Sequence, residues 1–224
     1  DSSGNNATNT IGTVVVDSTI PTAETNSPTI NSGNYSATNI YVNISTVEIN
    51  LDNITINIYN SDGSLNLSNS STTSPFYWNY TGLSDGTYYW NSTIYDLAGN
   101  LNSTSTQTIV IDTTYPTISF ATPYTVTGNY TLSYIEANIS VTDTNLKNIT
   151  INVYNSDGSL NQSNTSTTSP FYWNYTNLAD GIYYLNATTY DNAGNVNSTA
   201  TQTIVLDTII PIVSLFSPPN NTLE

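Results

Sequence analysis

Alternation of apolar and polar residues dominates this chain, and it is clearest from Ser74 to Asn100. Phe76, Trp78 and Tyr80 share one face of a period-2 run, with Tyr77, Asn79 and Thr81 on the other. After Asp85-Gly86 the alternation resumes, placing Tyr88, Trp90, Ser92 and Ile94 inward and Tyr89, Asn91, Thr93 and Tyr95 outward. Two half-buried strands flanking a tight glycine turn are expected to form a hairpin. Five more strands are expected around it. Residues 21–30 form the first, with Pro28 suited to an edge. Residues 35–45 turn Ile40, Val42 and Ile44 inward, and residues 51–59 turn Ile54, Ile56 and Ile58 inward. A turn at 60–63 leads to a short strand at 64–69, and residues 102–111 close the set with Ile109 and Ile111 inward. No stretch sustains a 3.6-residue period. About seven short strands at regular spacing describe an all-β sandwich.

The same pattern returns 95 residues later: Pro75 becomes Pro170, Gly33 becomes Gly128, Asp62-Gly63 becomes Asp157-Gly158 and Asp112 becomes Asp207. Two tandem seven-stranded β-sandwiches are therefore expected, at residues 17–112 and 113–207. Residues 1–16 read as the last strand of a preceding or neighbouring domain, because Thr13-Val-Val-Val-Asp17 matches Thr108-Ile-Val-Ile-Asp112. Residues 208–224 read as the first strand of a following or neighbouring one, since Pro211 to Pro218 matches Pro116 to Pro123. Either these strands belong to a longer covalent array, or they complete domains in neighbouring subunits by strand addition. On both readings the strand at 4–16 pairs outside the first complete repeat.

Composition narrows the function. There is no Cys, His or Arg, and Lys147 is the sole cation in a chain of net charge −15. A disulfide framework, Ser-His and Cys-His triads and a guanidinium clamp are thereby excluded. So is a nucleic-acid footprint, and electrostatic binding to an anionic membrane is disfavoured. No apolar run is long enough to span a bilayer as a helix, so any targeting signal or anchor is expected outside this segment. Carboxylate pairs could serve glycoside cleavage, but Asp62, Asp85, Asp157 and Asp180 precede glycines in turns, where Asp serves local hydrogen bonding. A non-enzymatic protein with no required cofactor is expected.

The runs Asp85-Gly-Thr-Tyr88, Tyr95-Asp-Leu-Ala-Gly-Asn100 and Ile111-Asp-Thr-Thr-Tyr-Pro116 have counterparts at Asp180 to Tyr183, Tyr190 to Asn195 and Leu206 to Pro211. They resemble the tandem Ig-like repeats of large bacterial surface adhesins and of archaeal surface proteins. The resemblance implies two Ig-like sandwiches and makes Tyr88 and Tyr183 corner tyrosines that tie the sixth strand to the preceding turn. In such a sandwich the loop after strand two, the loop after strand six and the incoming linker share one end. That end would gather Asp17, Glu48 and Asp96 at the first junction, and Asp112, Asp143 and Asp191 at the second. Three carboxylates with no cation beside them repel one another unless a hard ion intervenes, and adhesins of this type bind calcium at domain boundaries. Structural calcium at the repeat junctions is accordingly expected; the alternative, that all six are ordinary linker and turn residues, stays open.

Asn-x-Ser/Thr is the commonest motif, and eight of these sequons recur at the 95-residue offset. They are Asn34, Asn43, Asn53, Asn66, Asn69, Asn79, Asn91 and Asn102, repeated as Asn129, Asn138, Asn148, Asn161, Asn164, Asn174, Asn186 and Asn197; Asn6 and Asn220 lie outside the pairs. Composition alone would supply more than half as many sequons, so recurrence despite drifting neighbours carries the weight. Ser36 becomes Thr131, Leu67 becomes Gln162 and Ser92 becomes Ala187. Tyr41, Tyr77 and Tyr89 each stand two residues before a sequon Asn and share its face, where a ring can lie under the first sugar or simply favour strand pairing. The chain thus reads as a heavily N-glycosylated extracellular structural protein, part of a cell-surface filament, stalk or surface layer. Covalent N-glycans and other copies or repeats of the same protein are its expected partners, and an archaeal surface fits the dense sequons without Cys. The alternative is an adhesin or carbohydrate-binding repeat; near-identical loops in the two repeats favour the structural role.

Overall fold

The computed structural model describes residues 16–215, and the chain divides into two compact units, residues 1–113 and 114–224. Both are built from strands alone, nine in each among the described residues. In the first unit these are β1 (Glu24–Thr25), β2 (Gly33–Tyr35), β3 (Asn39–Ser45), β4 (Leu51–Asn60), β5 (Leu65–Ser71), β6 (Phe76–Thr81), β7 (Gly86–Asp96), β8 (Leu101–Ser103) and β9 (Gln107–Ile111). A three-stranded sheet in the order β1-β3-β6 faces a larger one in the order β2-β9-β7-β4-β5, with β8 continuing the β9 side of β7. The second unit repeats this with β10 (Thr117–Phe120), β11 (Gly128–Tyr130), β12 (Ile135–Thr142), β13 (Leu146–Asn155), β14 (Leu160–Ser166), β15 (Phe171–Tyr175), β16 (Gly181–Asp191), β17 (Val196–Ser198) and β18 (Gln202–Leu206). Its sheets are β10-β12-β15 and β11-β18-β16-β13-β14.

The inward residues are those the alternation assigns. Ile40, Val42 and Ile44 of β3 meet Ile54, Ile56 and Ile58 of β4, Trp90 and Ile94 of β7, and Ile109 and Ile111 of β9, all essentially without solvent contact. The β-branched aliphatics suit a pleated, one-sided surface. Trp90 fills the centre, and its indole N–H donates to the carbonyl of Ile30 at 3.0 Å, so the largest core side chain leaves no unpaired polar group. Tyr80 reaches from the small sheet into the large one and donates to the Ile56 carbonyl at 2.8 Å, as Tyr175 does to Ile151 at 2.9 Å. Burial pushes the Tyr80 phenol up to about 12 and raises Tyr175 as well.

Three expectations are corrected. The aromatic stretch is not a hairpin: β6 pairs with β3, while β7 pairs with β4 and β9, so the chain crosses between sheets at residues 82–85. Leu83 is buried in that crossing and Gly82 adopts φ +75°, which lets the chain turn inward over the core. The first expected strand, at 21–30, is reduced to β1; the chain then leaves the β3 edge and joins β9 in parallel as β2, at 33–35, between the first and second expected strands. The seventh is broken into β8 and β9, and Thr104 fills the gap by accepting the Ser92 N–H at 2.9 Å through its hydroxyl. The alternation of Phe76, Trp78 and Tyr80 holds, yet Trp78 is 40% exposed at the open edge of the small sheet. Residues 1–15, assigned to a strand of another domain, lie outside the described residues, and residues 207–215 form no strand.

Candidate functional site

All sixteen paired sequon asparagines fall among the described residues, and none is buried. Asn34, Asn66, Asn79, Asn129, Asn161, Asn174 and Asn197 are exposed, and the rest are half-buried on outward strand faces. Two kinds of amide stand out among them. The Nδ2 of Asn43 donates to the Ser27 carbonyl at 3.1 Å, and that of Asn138 to Thr122 at 3.0 Å. Asn102 and Asn197 donate likewise to the carbonyls of Pro21 and Pro116, at 2.8 and 3.0 Å. These asparagines pin loops to strands, and that role alone accounts for their recurrence. Asn34, Asn129 and Asn174 make no hydrogen bond through their side chains among the described residues, and Asn79 only accepts one, from half-buried Asn39 at 3.3 Å.

Each outward tyrosine also has a neighbour across the sheet. Tyr41 stands opposite Asn79 and Asn43 opposite Tyr77 in the β3–β6 register, a chequer of rings and sequon amides. In the second unit Glu136 replaces Tyr41, and its carboxylate accepts from the Tyr172 hydroxyl at 2.8 Å, which raises that phenol's pKa.

At one end of the first unit the chain gathers acids. One carboxylate oxygen from each of Asp17, Glu48 and Asp96 lies within 4.8 Å of the others. Oxygens on opposite sides of a calcium ion, bound at about 2.3–2.6 Å each, stand about that far apart, so the trio fits a hard cation of that size. Asp96 is buried because the Tyr-Asp-x-Ala-Gly-Asn loop folds over it: Asn100 donates to it through its backbone N–H at 2.8 Å and its Nδ2 at 2.7 Å. The same Nδ2 holds the Asp17 carbonyl at 3.1 Å, which docks the incoming linker. The Asp17 carboxylate accepts from the Thr19 N–H at 3.0 Å and from Asn50 at 3.1 Å, and these two bonds hold its pKa below the usual range. Glu48 accepts from the Asn50 N–H at 2.9 Å. Sequence reasoning missed Asn50 and Asn100, although the copied Gly-Asn pair at Gly194-Asn195 marked the second. Of the second expected trio, Asp112 belongs to the first unit and is buried, whereas Asp143 and Asp191 belong to the second. There Asp191 accepts from Asn195 at 2.8 and 2.7 Å, as Asp96 does from Asn100, and Asp143 accepts from the Asn145 N–H at 2.7 Å.

Two features mark each unit as an Ig-like sandwich. The Tyr88 hydroxyl donates to the Ser84 carbonyl at 3.0 Å, and Tyr183 to Ala179 at 2.9 Å, both at the crossing between sheets where a tyrosine corner belongs. The sheet order is that of the Ig class, with the first strand shared between both sheets. The bacterial Ig-like domain profile matches residues 5–113 and 127–208, and the chain belongs to that family. Among solved structures, the chain is similar to fibronectin(III)-like modules of Clostridium thermocellum CbhA, at 16% identity over 88% of this chain and 100% of that one, with a TM-score of 0.50. It is also similar to the chicken CNTN1 FN1-FN3 domains, at 14% identity, 80% and 66% coverage and TM-score 0.42. A third is the two-domain fibronectin type-III segment of chicken tenascin, at 13% identity, 83% and 97% coverage and TM-score 0.36. These likenesses concern the fold. A comparison with curated proteins gives no match. No helix among the described residues is long and apolar enough to cross a membrane.

Proposed function

We propose that the chain is a non-enzymatic, heavily N-glycosylated extracellular structural protein, a repeat unit of a cell-surface filament, stalk or surface layer built with other repeats or copies of its kind. The observation that carries this reading is the recurrence of sequons for which the fold has no use. Asn34-Tyr-Ser36 returns as Asn129-Tyr-Thr131, changing the residue and keeping the hydroxyl, although neither side chain of either sequon holds the structure. Asn79-Tyr-Thr81 and Asn174-Tyr-Thr176 recur as well, and neither asparagine donates a hydrogen bond among the described residues. A transferase requires the amide and the hydroxyl two residues on; a strand requires neither. Asn34, Asn79, Asn129 and Asn174 are the first acceptors on this reading. Asn43, Asn102, Asn138 and Asn197, whose amides tie loops, are the last. The Asp17–Glu48–Asp96 cluster belongs to the same role, as a calcium site that would clamp the incoming linker to two loops of the first unit.

The test is the intact mass and glycopeptide map of native material. The polypeptide accounts for 24.2 kDa, and the native mass should exceed it by several glycans, with the four idle asparagines the most occupied. A native mass equal to the bare polypeptide overturns the reading.

A further inference from the structure

The small sheet of each unit ends on an unguarded strand. β6 reads Phe-Tyr-Trp-Asn-Tyr-Thr and pairs only with β3; β15 reads Phe-Tyr-Trp-Asn-Tyr and pairs only with β12. Among the described residues each therefore presents one row of backbone groups to no other strand. Neither contains a charge, a proline or a glycine, and each is aromatic at four positions. Tyr77 and Trp78 are 49% and 40% exposed, and Tyr172 and Trp173 46% and 42%. Uncharged aromatic edges of this kind pair with other chains, and proteins ordinarily blunt them with lysine, proline or a bulge. This chain has a single lysine, and it lies on the interior strand β13. The neighbouring edges β5 and β14 are likewise uncharged.

What stands in the middle of β6 and of β15 is a sequon. Asn79 and Asn174 are exposed on the outer face, each beside two exposed aromatic residues, and neither donates a hydrogen bond among the described residues. β5 and β14 carry Asn66 and Asn69, Asn161 and Asn164, and β2 and β11 carry Asn34 and Asn129; at the far edge of the small sheets β1 carries Glu24, and β10 carries neither charge nor sequon. Resting on the glycoprotein reading above, we propose that glycans on Asn79 and Asn174 are the edge guards of this fold. Each occupies the space beside its strand and blocks sheet-to-sheet pairing, in place of the edge lysines the sequence lacks. A strand docking at about 4.8 Å would bring its own outward side chains against a bulky glycan.

The test follows the full chain secreted from an N-glycosylating host, with occupancy at Asn79 and Asn174 established by glycopeptide mass on this and on native material. The Asn79→Gln, Asn174→Gln double variant should self-associate at concentrations at least tenfold below the parent in sedimentation velocity. Asn79→Lys, Asn174→Lys should stay monomeric, because a charge restores the guard by other means. Asn91→Gln, Asn186→Gln, on the interior strands β7 and β16, should behave as the parent. A Gln double variant as monodisperse as an occupied parent overturns the proposal. So does a parent with bare Asn79 and Asn174 and glycans elsewhere, a result that leaves the glycoprotein reading intact. Native material without any glycan removes both.

Discussion

Gly82 and Asn177 occupy one position of the repeat, and both hold the left-handed region, at φ +75° and +59°. Glycine reaches that region without strain, and asparagine is among the few other residues that tolerate it. A Cβ on Gly82 would meet nothing within 4 Å, so any cost of replacing it is conformational and not steric. Gly82→Asn should therefore change stability by no more than about 0.5 kcal/mol, while Gly82→Val should lose on the order of 1–2 kcal/mol or more. Urea denaturation midpoints with an unchanged slope decide it, and equal losses for Asn and Val would refute the backbone account. Trp90 and Leu185 differ in the opposite spirit. Where Trp90 is present its N–H takes the Ile30 carbonyl; in the other unit Thr125 replaces Ile30, and its hydroxyl accepts the Glu136 N–H at 2.9 Å. Two cores of the same shape thus close their polar accounts through different side chains.

Strands were legible in the sequence to a greater degree than their partners. Period-2 alternation assigns an inner and an outer face, and Ile40 to Ile44, Ile54 to Ile58 and Tyr88 to Ile94 lie as it directs. Alternation is silent on which strand lies alongside, and so Asp85-Gly86 resembles a hairpin turn while Leu83, three residues before Gly86, carries the chain across the core. Asp85 in fact accepts from the Thr113 hydroxyl at 2.8 Å, and Asp180 from Thr208 in the same way at 2.9 Å, fastening the segment that follows the last strand of each unit. The acidic cluster was legible because loop ends, not strand pairing, bring Asp17, Glu48 and Asp96 together. The idle and loop-tying sequons look identical in sequence, because only the register shows which carbonyl each amide meets. Tyr80, read as one more inward aromatic, links β6 to β4 across the sandwich, and this gives a pH prediction. Its folded phenol is pushed up to about 12, against about 10 in an unfolded chain. Below pH 10 both states keep the proton; above it the unfolded state loses it first, so stability falls as pH rises from about 10 to 12. Tyr80→Phe should cost on the order of 1–2 kcal/mol at pH 7 and flatten the part of the alkaline loss that Tyr80 supplies. An unchanged alkaline slope in the variant would assign the loss to other groups.

At the scale of the whole molecule the governing quantity is charge. Sixteen acids face one lysine, and such an excess destabilises a compact state through self-repulsion. Two agents relieve it in distinguishable ways. Sodium chloride screens every acid pair beyond the Debye length, about 30 Å at 0.01 M and 8 Å at 0.15 M, so melting temperature should rise with salt in any variant. On the proposed reading calcium would act at the Asp17–Glu48–Asp96 oxygens, and for a site with a Kd near 10⁻⁴–10⁻³ M, 10 mM calcium should add about 1.5–3 kcal/mol. That increment should survive 0.15 M sodium chloride and vanish with chelator. Glu48→Gln is the discriminating variant, because Glu48 is half-buried and, unlike Asp96, does not hold the loop together. It should keep the response to sodium chloride and lose most of the response to calcium. An equal calcium response in Glu48→Gln would show that the ion acts as a general screen, and the acid cluster would then owe its arrangement to Asn50 and Asn100 alone.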